Sequence, residues 1–192
     1  MYKIIEVEDK IRVIPSKFDM DVEEAVKTSL EEKWEGVVEK NTGVVLSIVS
    51  VEEVGEGKIL PGDGAIYYPV RFKILSYLPE LYEIVKGNVI DVTEFGVFVR
   101  IGPVDGMIHV SQIMDDFVSY DAKNSVFTGR DTKNILKEGD TVLARITSIS
   151  LGSDRQYKIG LTTRQPGLGV LEWIEKAKKQ KKKENKEKNK NK

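Results

Sequence analysis

Hydrophobic and polar residues alternate from the start of the chain, where Ile4, Val7, Ile11 and Val13 mark a strand, or a bent pair of strands, from Tyr2 to Ile14, ending at Pro15. The period then lengthens to four. Val22, Val26, Leu30 and Trp34 make one stripe, Asp21 and Glu24 have capping-box spacing, and Gly36 supplies a stop, which predicts a helix lying on a sheet. The β-branched run Gly43–Val51 predicts a buried strand and Ala65–Leu78 a second long one. Between them, residues 55–64 (GEGKILPGDG) hold four glycines and a proline. That density excludes a regular element and predicts an exposed loop in which Ile59 and Leu60 have little local core to join.

From Tyr82 onward the pattern breaks into five short strands: Ile84–Val92, Gly96–Ile101, Gly106–His109, Thr141–Ser150 and Gln156–Thr162. Short strands with Gly-rich turns predict a small barrel. Residues 114–137 read as a long polar insertion between the third and fourth strands. The fold class expected is therefore an α+β N-terminal domain, a bent antiparallel sheet with one main helix, followed by an all-β five-stranded barrel. The expected boundaries are 1–80 for the first domain with its tip loop at 55–64, 81–166 for the barrel, 167–177 for an amphipathic segment around Trp173, and 178–192 for a disordered Lys-rich tail.

Composition narrows the chemistry. Across 192 residues there is no cysteine and only one histidine, His109, which removes disulfides, thiol nucleophiles and most Cys/His metal sites. No apolar run approaches the roughly 18 residues of a membrane helix, and the first residues lack the pattern of a secretory signal, so a cytoplasmic location is expected. Neither a P-loop nor a dinucleotide fingerprint occurs, and no cofactor or metal is expected. Abundant Lys, Glu and Ile without Cys is a composition toward which proteins of hot environments tend. The net charge of -1 conceals an asymmetry: residues 176–192 carry ten Lys and two Glu, which leaves the rest of the chain near -9. Residues 1–80 hold 10 basic and 16 acidic side chains, against 10 and 13 in residues 81–175. Nucleic-acid contact is thus more plausible in the second half or through the tail.

The stretch KGNVIDVTEFGVFVRIGPVDGMIHVSQI, residues 86–113, is the most informative. Alternation puts Val97 and Val99 on one face of the second strand and Phe98 and Arg100 on the other, with Phe95 at the preceding turn. An aromatic and a cation on a solvated barrel face suit stacking of unpaired bases together with phosphate attraction. As isolated residues, the two phenylalanines would equally pass for barrel core, and Arg145 and Lys158 for solvated charges. His109 and Ser111 are two residues apart with no sign of an oxyanion hole, so the pair is poor evidence for hydrolysis.

This stretch resembles the ribosomal S1-motif version of the OB fold, which binds single-stranded RNA. The matching residues are Val89, Gly96–Val99, Gly106, Met107, His109–Ser111, Gly139–Val142 and Lys158–Thr162. The resemblance implies RNA-facing roles for Phe95, Phe98, His109, Arg145 and Lys158, to which alternation adds Arg100. The long insertion departs from the family pattern.

Nearly the whole chain, with its acidic first domain and Gly62-Asp63-Gly64 loop, resembles the E-prime family of archaeal RNA polymerase subunits, counterparts of the seventh subunit of eukaryotic RNA polymerase II. That likeness implies a non-catalytic stalk subunit of a nucleotidyltransferase complex, working in transcription. It would form a heterodimer with the smaller F subunit of RNA polymerase, dock on the polymerase core through its first domain, and meet the emerging RNA transcript with its barrel. The tip-loop residues Lys58, Ile59, Leu60, Gly62, Asp63 and Gly64 are the expected docking contacts. The rival reading is a translation or RNA-decay factor that carries the same barrel.

Overall fold

In the computed structural model, which describes residues 1–179, the opening alternation becomes one unbroken strand, β1 (Tyr2–Val13), closed by a 3-10 turn over Pro15–Lys17. The chain divides into two compact units, the first spanning Met1–Pro79 and the second starting at Glu80. Besides β1, the first unit contains α1 (Val22–Trp34), β2 (Val38–Glu39), β3 (Gly43–Val54), β4 (Lys58–Ile59) and β5 (Ile66–Tyr77). Its antiparallel sheet runs β1-β5-β3-β2, with β4 also paired to β5.

Helix α1 packs on β1 and β3. Val26 and Leu30 are fully buried with Ile11, Val45, Phe72 and Ile74, and Trp34 meets Phe72 edge to face at 5.7 Å between ring centroids. Burial of a large aliphatic side chain of this kind contributes about 1.5–3 kcal/mol. Val22, the first residue of the predicted stripe, stays exposed because it sits at the helix start, before the stripe reaches the sheet.

Three expectations for this unit are corrected. Asp21 is the N-cap residue but makes no side-chain cap bond, so no capping box forms. The first turn lies at the surface, where its amides need no side-chain acceptor, and Glu23 and Glu24 complement the helix dipole instead. Strand β3 is not buried throughout: three register shifts against β5 break its alternation and leave Val49 exposed. The Gly-rich segment does contain a regular element, since Lys58 and Ile59 pair with Tyr67 and Ile66. Backbone pairing to an existing strand outweighs the low strand propensity of the surrounding glycines.

The second unit contains β6 (Ile84–Thr93), β7 (Gly96–Ile101), β8 (Val104–His109), β9 (Val118–Asp121), β10 (Val126–Gly129), β11 (Ile135–Lys137), β12 (Thr141–Leu151), β13 (Tyr157–Thr162) and β14 (Gly169–Val170), then a helix over residues 171–179. Neighbours pair in the order β13-β8-β7-β6-β12, and a further β12–β13 pairing closes the five-stranded barrel. Strand β13 runs parallel to β8; the other barrel pairs are antiparallel. Val97, Val99, Ile108, Val142, Ala144 and Ile146 fill the interior with no exposure. Gly96 is required by close approach, because a Cβ there would run into the carbonyl of Ile108.

Residues 114–137 are not a polar loop. Strands β9, β10 and β11 form a small antiparallel sheet whose Phe127 and Leu136 are fully buried in the barrel's own core cluster. Only one or two apolar side chains per short strand seat it, too few to register as periodicity among the polar residues. Asp116 braces the connection by accepting from the amides of Asp131 and Thr132 and from the Thr132 hydroxyl. These bonds, the Thr132 amide first, hold its carboxyl below the usual carboxylate range.

Trp173 donates its indole N–H to the carbonyl of Ile135 at 3.2 Å, seating the C-terminal helix on the insertion. Lys178 and Lys179 belong to this helix, which corrects the start of the expected disordered tail; a run rich in Ala, Glu and Lys favours helix. The remainder of that tail, residues 180–192, lies outside the described residues. Among the described residues no helix is long and apolar enough to cross a membrane.

Candidate nucleic-acid interface

The strand registers build one row of side chains across the barrel exterior. Phe98 on β7 stands opposite Met107 on β8, Met107 opposite Gly160 on β13, and Gly160 opposite Ser148 on β12. Alternation explains the row: Val97 and Val99 point inward, so Phe98 points outward, and Ile108 points inward between outward Met107 and His109. Ser148 joins it because a register shift between Ile146 and Ser148 turns the second half of β12. At Gly160 a Cβ would press on the Ser148 hydroxyl, so glycine keeps the floor low.

This row lies in a groove of about 590 Å³, also lined by Asp105, His109, Gln112, Ser150, Tyr157 and Lys158. Phe98 and Met107 offer polarisable surface, Tyr157 and Ser150 hydroxyls, and Lys158 a cation. Burial raises the Tyr157 phenol above its ordinary value. His109 is held at the rim: Ser111 N–H donates to Nδ1 at 3.3 Å, with the Ser111 hydroxyl 2.9 Å from the same nitrogen. An Nδ1 that accepts leaves the proton of the neutral ring on Nε2 as a donor, an assignment made from the hydrogen-bond network.

The predicted residues divide on this geometry. Phe98, His109 and Lys158 come together around the groove. Phe95 stands outside it at the β6–β7 turn, 49% exposed, with its ring edge to face against Phe98 at 6.2 Å. Arg100 is already engaged, pairing with Asp105 through Nε at 2.9 Å and Nη2 at 3.2 Å. Arg145 does not join the groove. It lies on the first half of β12, before the register shift, half-buried and with its Nε buried without a partner among the described residues. Sequence reasoning missed Met107, whose i−2 spacing from His109 puts both on one face and was readable. It also missed Gln112, Ser148 and Tyr157, which arrive through a 3-10 turn, a strand irregularity and a strand start.

In the first unit, Ile59 and Leu60 are 69% and 50% exposed at the end of the β4 hairpin. Asp63 is committed internally. It accepts from Arg12 Nε at 2.9 Å and Nη2 at 2.7 Å, from the Tyr67 hydroxyl at 2.6 Å and from the Ala65 amide at 3.1 Å. Arg12 first, then Tyr67, hold its carboxyl well below the usual range. The loop is thus a clamped hairpin that presents two apolar side chains, with Gly62 at φ +89° allowing its turn.

A closed five-stranded barrel, joined to an α+β sheet domain, defines a two-domain protein of the S1 class. The S1 RNA binding domain model matches residues 78–159, and the model described as the SHS2 domain found in N terminus of Rpb7p/Rpc25p/MJ0397 matches residues 8–64. The chain is 40% identical to DNA-directed RNA polymerase subunit Rpo7 of Saccharolobus shibatae over 180 residues, covering 93% of this chain and 100% of that one. It is 39% identical to the Sulfolobus acidocaldarius protein of the same name, covering 91% and 95%. Identity to the RNA polymerase II subunit rpb7 of Dictyostelium discoideum is 27%, covering 71% and 80%. The chain belongs to the Rpo7/Rpb7 family of DNA-directed RNA polymerase subunits.

Proposed function

We propose that this polymerase component is a non-catalytic stalk protein in the cytoplasm, pairing with the smaller F subunit, docking on the polymerase core through Ile59 and Leu60, and guiding emerging single-stranded RNA along its barrel groove. The observation that carries the RNA reading is the Phe98–Met107–Gly160–Ser148 row. It is flat at Gly160, aromatic at one end and hydroxyl-bearing at the other, which suits a stacked base with one polar edge. Stacking is sequence-tolerant, which favours non-specific contact: each stacked base contributes about 1–3 kcal/mol, and two aromatics give weak to moderate affinity. Membership of a polymerase family argues against the translation or RNA-decay alternative.

The test is capture of the tagged chain from its native extract with nuclease present, followed by fluorescence anisotropy of the recovered complex with a labelled single-stranded RNA. Recovery of core subunits and a small helical partner, with RNA binding that competes with unlabelled single strands and not with duplex, is expected. Recovery of ribosomal or exoribonuclease components would reassign the machine, and absence of RNA binding would end the groove reading.

A further inference from the structure

The side chains whose hydrogen-bonding polarity is fixed are unevenly sorted around the groove. Asp105 is the acceptor among them, and it spends both carboxylate oxygens on Arg100. The others donate. His109 has its Nδ1 taken by the Ser111 amide, which leaves the Nε2–H free to donate, and Lys158 carries an ammonium. The serine and tyrosine hydroxyls can play either part.

Gln112 completes the set, because the fold decides which end of its amide is committed. Thr162, 3% exposed on β13, donates its hydroxyl to Gln112 Oε1 at 2.9 Å. The other acceptor within reach of that hydroxyl, the Gln112 backbone carbonyl, is 3.5 Å away and already accepts from the Thr163 amide at 2.9 Å and the Thr163 hydroxyl at 3.1 Å. The Arg164 amide in turn donates to the Thr162 oxygen at 3.3 Å, so the hydroxyl proton is directed onward to Gln112. With Oε1 committed, the amide nitrogen of Gln112 and its two N–H donors are left for the groove that this side chain lines.

These donors stand beside the stacking row. His109 is two residues past Met107 on β8, and Thr162 two past Gly160 on β13, so both share the outward face of the row at about 7 Å along the strands. A base stacked on Phe98 and Met107 therefore brings one edge up to His109 and Gln112. The charged sugar-phosphate backbone stays with water, which turns the edge farthest from the sugar toward the donors. On that edge uracil and guanine carry a carbonyl oxygen, O4 or O6, where cytosine and adenine carry an amino group. An amino group against Gln112 sets donor against donor and leaves both unmet.

We propose that the groove selects the keto bases, uracil and guanine, over the amino bases, with Gln112 as the residue that contacts O4 or O6 and Thr162 as the buried residue that positions its amide. This selection rests on the RNA reading of the groove given above, and it lays a preference for one base class over stacking that accepts every base. One neutral hydrogen bond gained, against donors left unmet on the losing side, gives a preference of about 5- to 10-fold.

The test compares oligouridine with oligocytidine, each of about 10 nucleotides, binding to the full chain by fluorescence anisotropy at one salt concentration. Both are single-ring bases on the same backbone, so phosphate attraction cancels in the ratio of their affinities. The native chain is expected to favour oligouridine by about 5- to 10-fold. Gln112→Glu puts acceptors where the amide donors were and should invert the ratio, because the cytosine N4 amino group donates to a carboxylate. Thr162→Val releases the amide and should bring the ratio close to unity, while Thr162→Ser keeps the hydroxyl and the native ratio. Circular dichroism checks that each variant is folded, and reading a ratio removes any general loss of affinity from the added negative charge. Equal binding of the two oligomers by the native chain would overturn base selection and leave RNA binding standing. A uridine preference unchanged by Gln112→Glu would overturn the role of Gln112, and one unchanged by Thr162→Val would overturn that of Thr162. Binding to neither oligomer would overturn the RNA reading of the groove and the selection with it.

Discussion

Phe95 and Phe98 meet edge to face across the turn that opens β7, with ring centroids 6.2 Å apart and planes at 87°. The geometry matches the quadrupole preference of paired aromatic rings. It steadies Phe98 from one side while the groove leaves its other side open. Phe98→Ala should weaken single-stranded RNA binding by about 1–3 kcal/mol, roughly 5- to 150-fold, and Phe98→Tyr should restore most of it. Circular dichroism should show the fold retained. Unchanged RNA affinity in the alanine variant would end the proposed stacking role.

The Asp63 clamp makes a pH prediction. Its folded carboxyl titrates well below the ordinary 3.8, so the clamp's contribution is complete above about pH 4 and declines as pH falls further. Asp63→Asn should lower the thermal midpoint at about pH 6, and the gap from the native chain should shrink as both are acidified below about pH 4. A gap that stays constant down to about pH 2 would mean that the carboxylate charge is not what holds the hairpin.

The two exposed apolar residues of that hairpin should matter for assembly and not for folding. Ile59→Ser with Leu60→Ser replaces side chains that are 69% and 50% exposed, so the thermal midpoint should stay within about a degree. Co-purification with polymerase core subunits should be lost. Recovery at native levels would move the docking surface elsewhere.

Gly96→Ala tests the close approach inside the barrel. Its Cβ would strike the carbonyl of Ile108, a backbone atom held by pairing of β7 with β8, so the strands must part. Overpacking of this kind costs about 1–3 kcal/mol, and urea unfolding monitored by tryptophan fluorescence would read it. A midpoint equal to that of the native chain would show that the strand pair yields freely.

Legibility in one dimension followed the range of the interactions. Local patterning was enough for the helix over Val22–Trp34, the five barrel strands and the outward placement of Phe98. Alternation and four-residue periodicity are consequences of burying one face of an element, and they survive without knowledge of what that face meets. The family resemblance was legible for a related reason, because glycines such as Gly96 must stand where backbones nearly touch.

Which side chains meet across strands far apart in the chain was settled by long-range pairing alone. Gly160 and Ser148 join Phe98 and Met107 through strand registers, including a shift in β12 that no alternation predicts. Residues 114–137 looked like a loop because Phe127 and Leu136 are sparse, yet they fold by borrowing the barrel's core. Arg145 and Lys158 looked equivalent as basic residues on neighbouring strands. The register shift and the closure of β13 on β8 gave one to the groove and left the other outside it, since position around a closed barrel is fixed by pairing between distant segments and by nothing in the segments themselves.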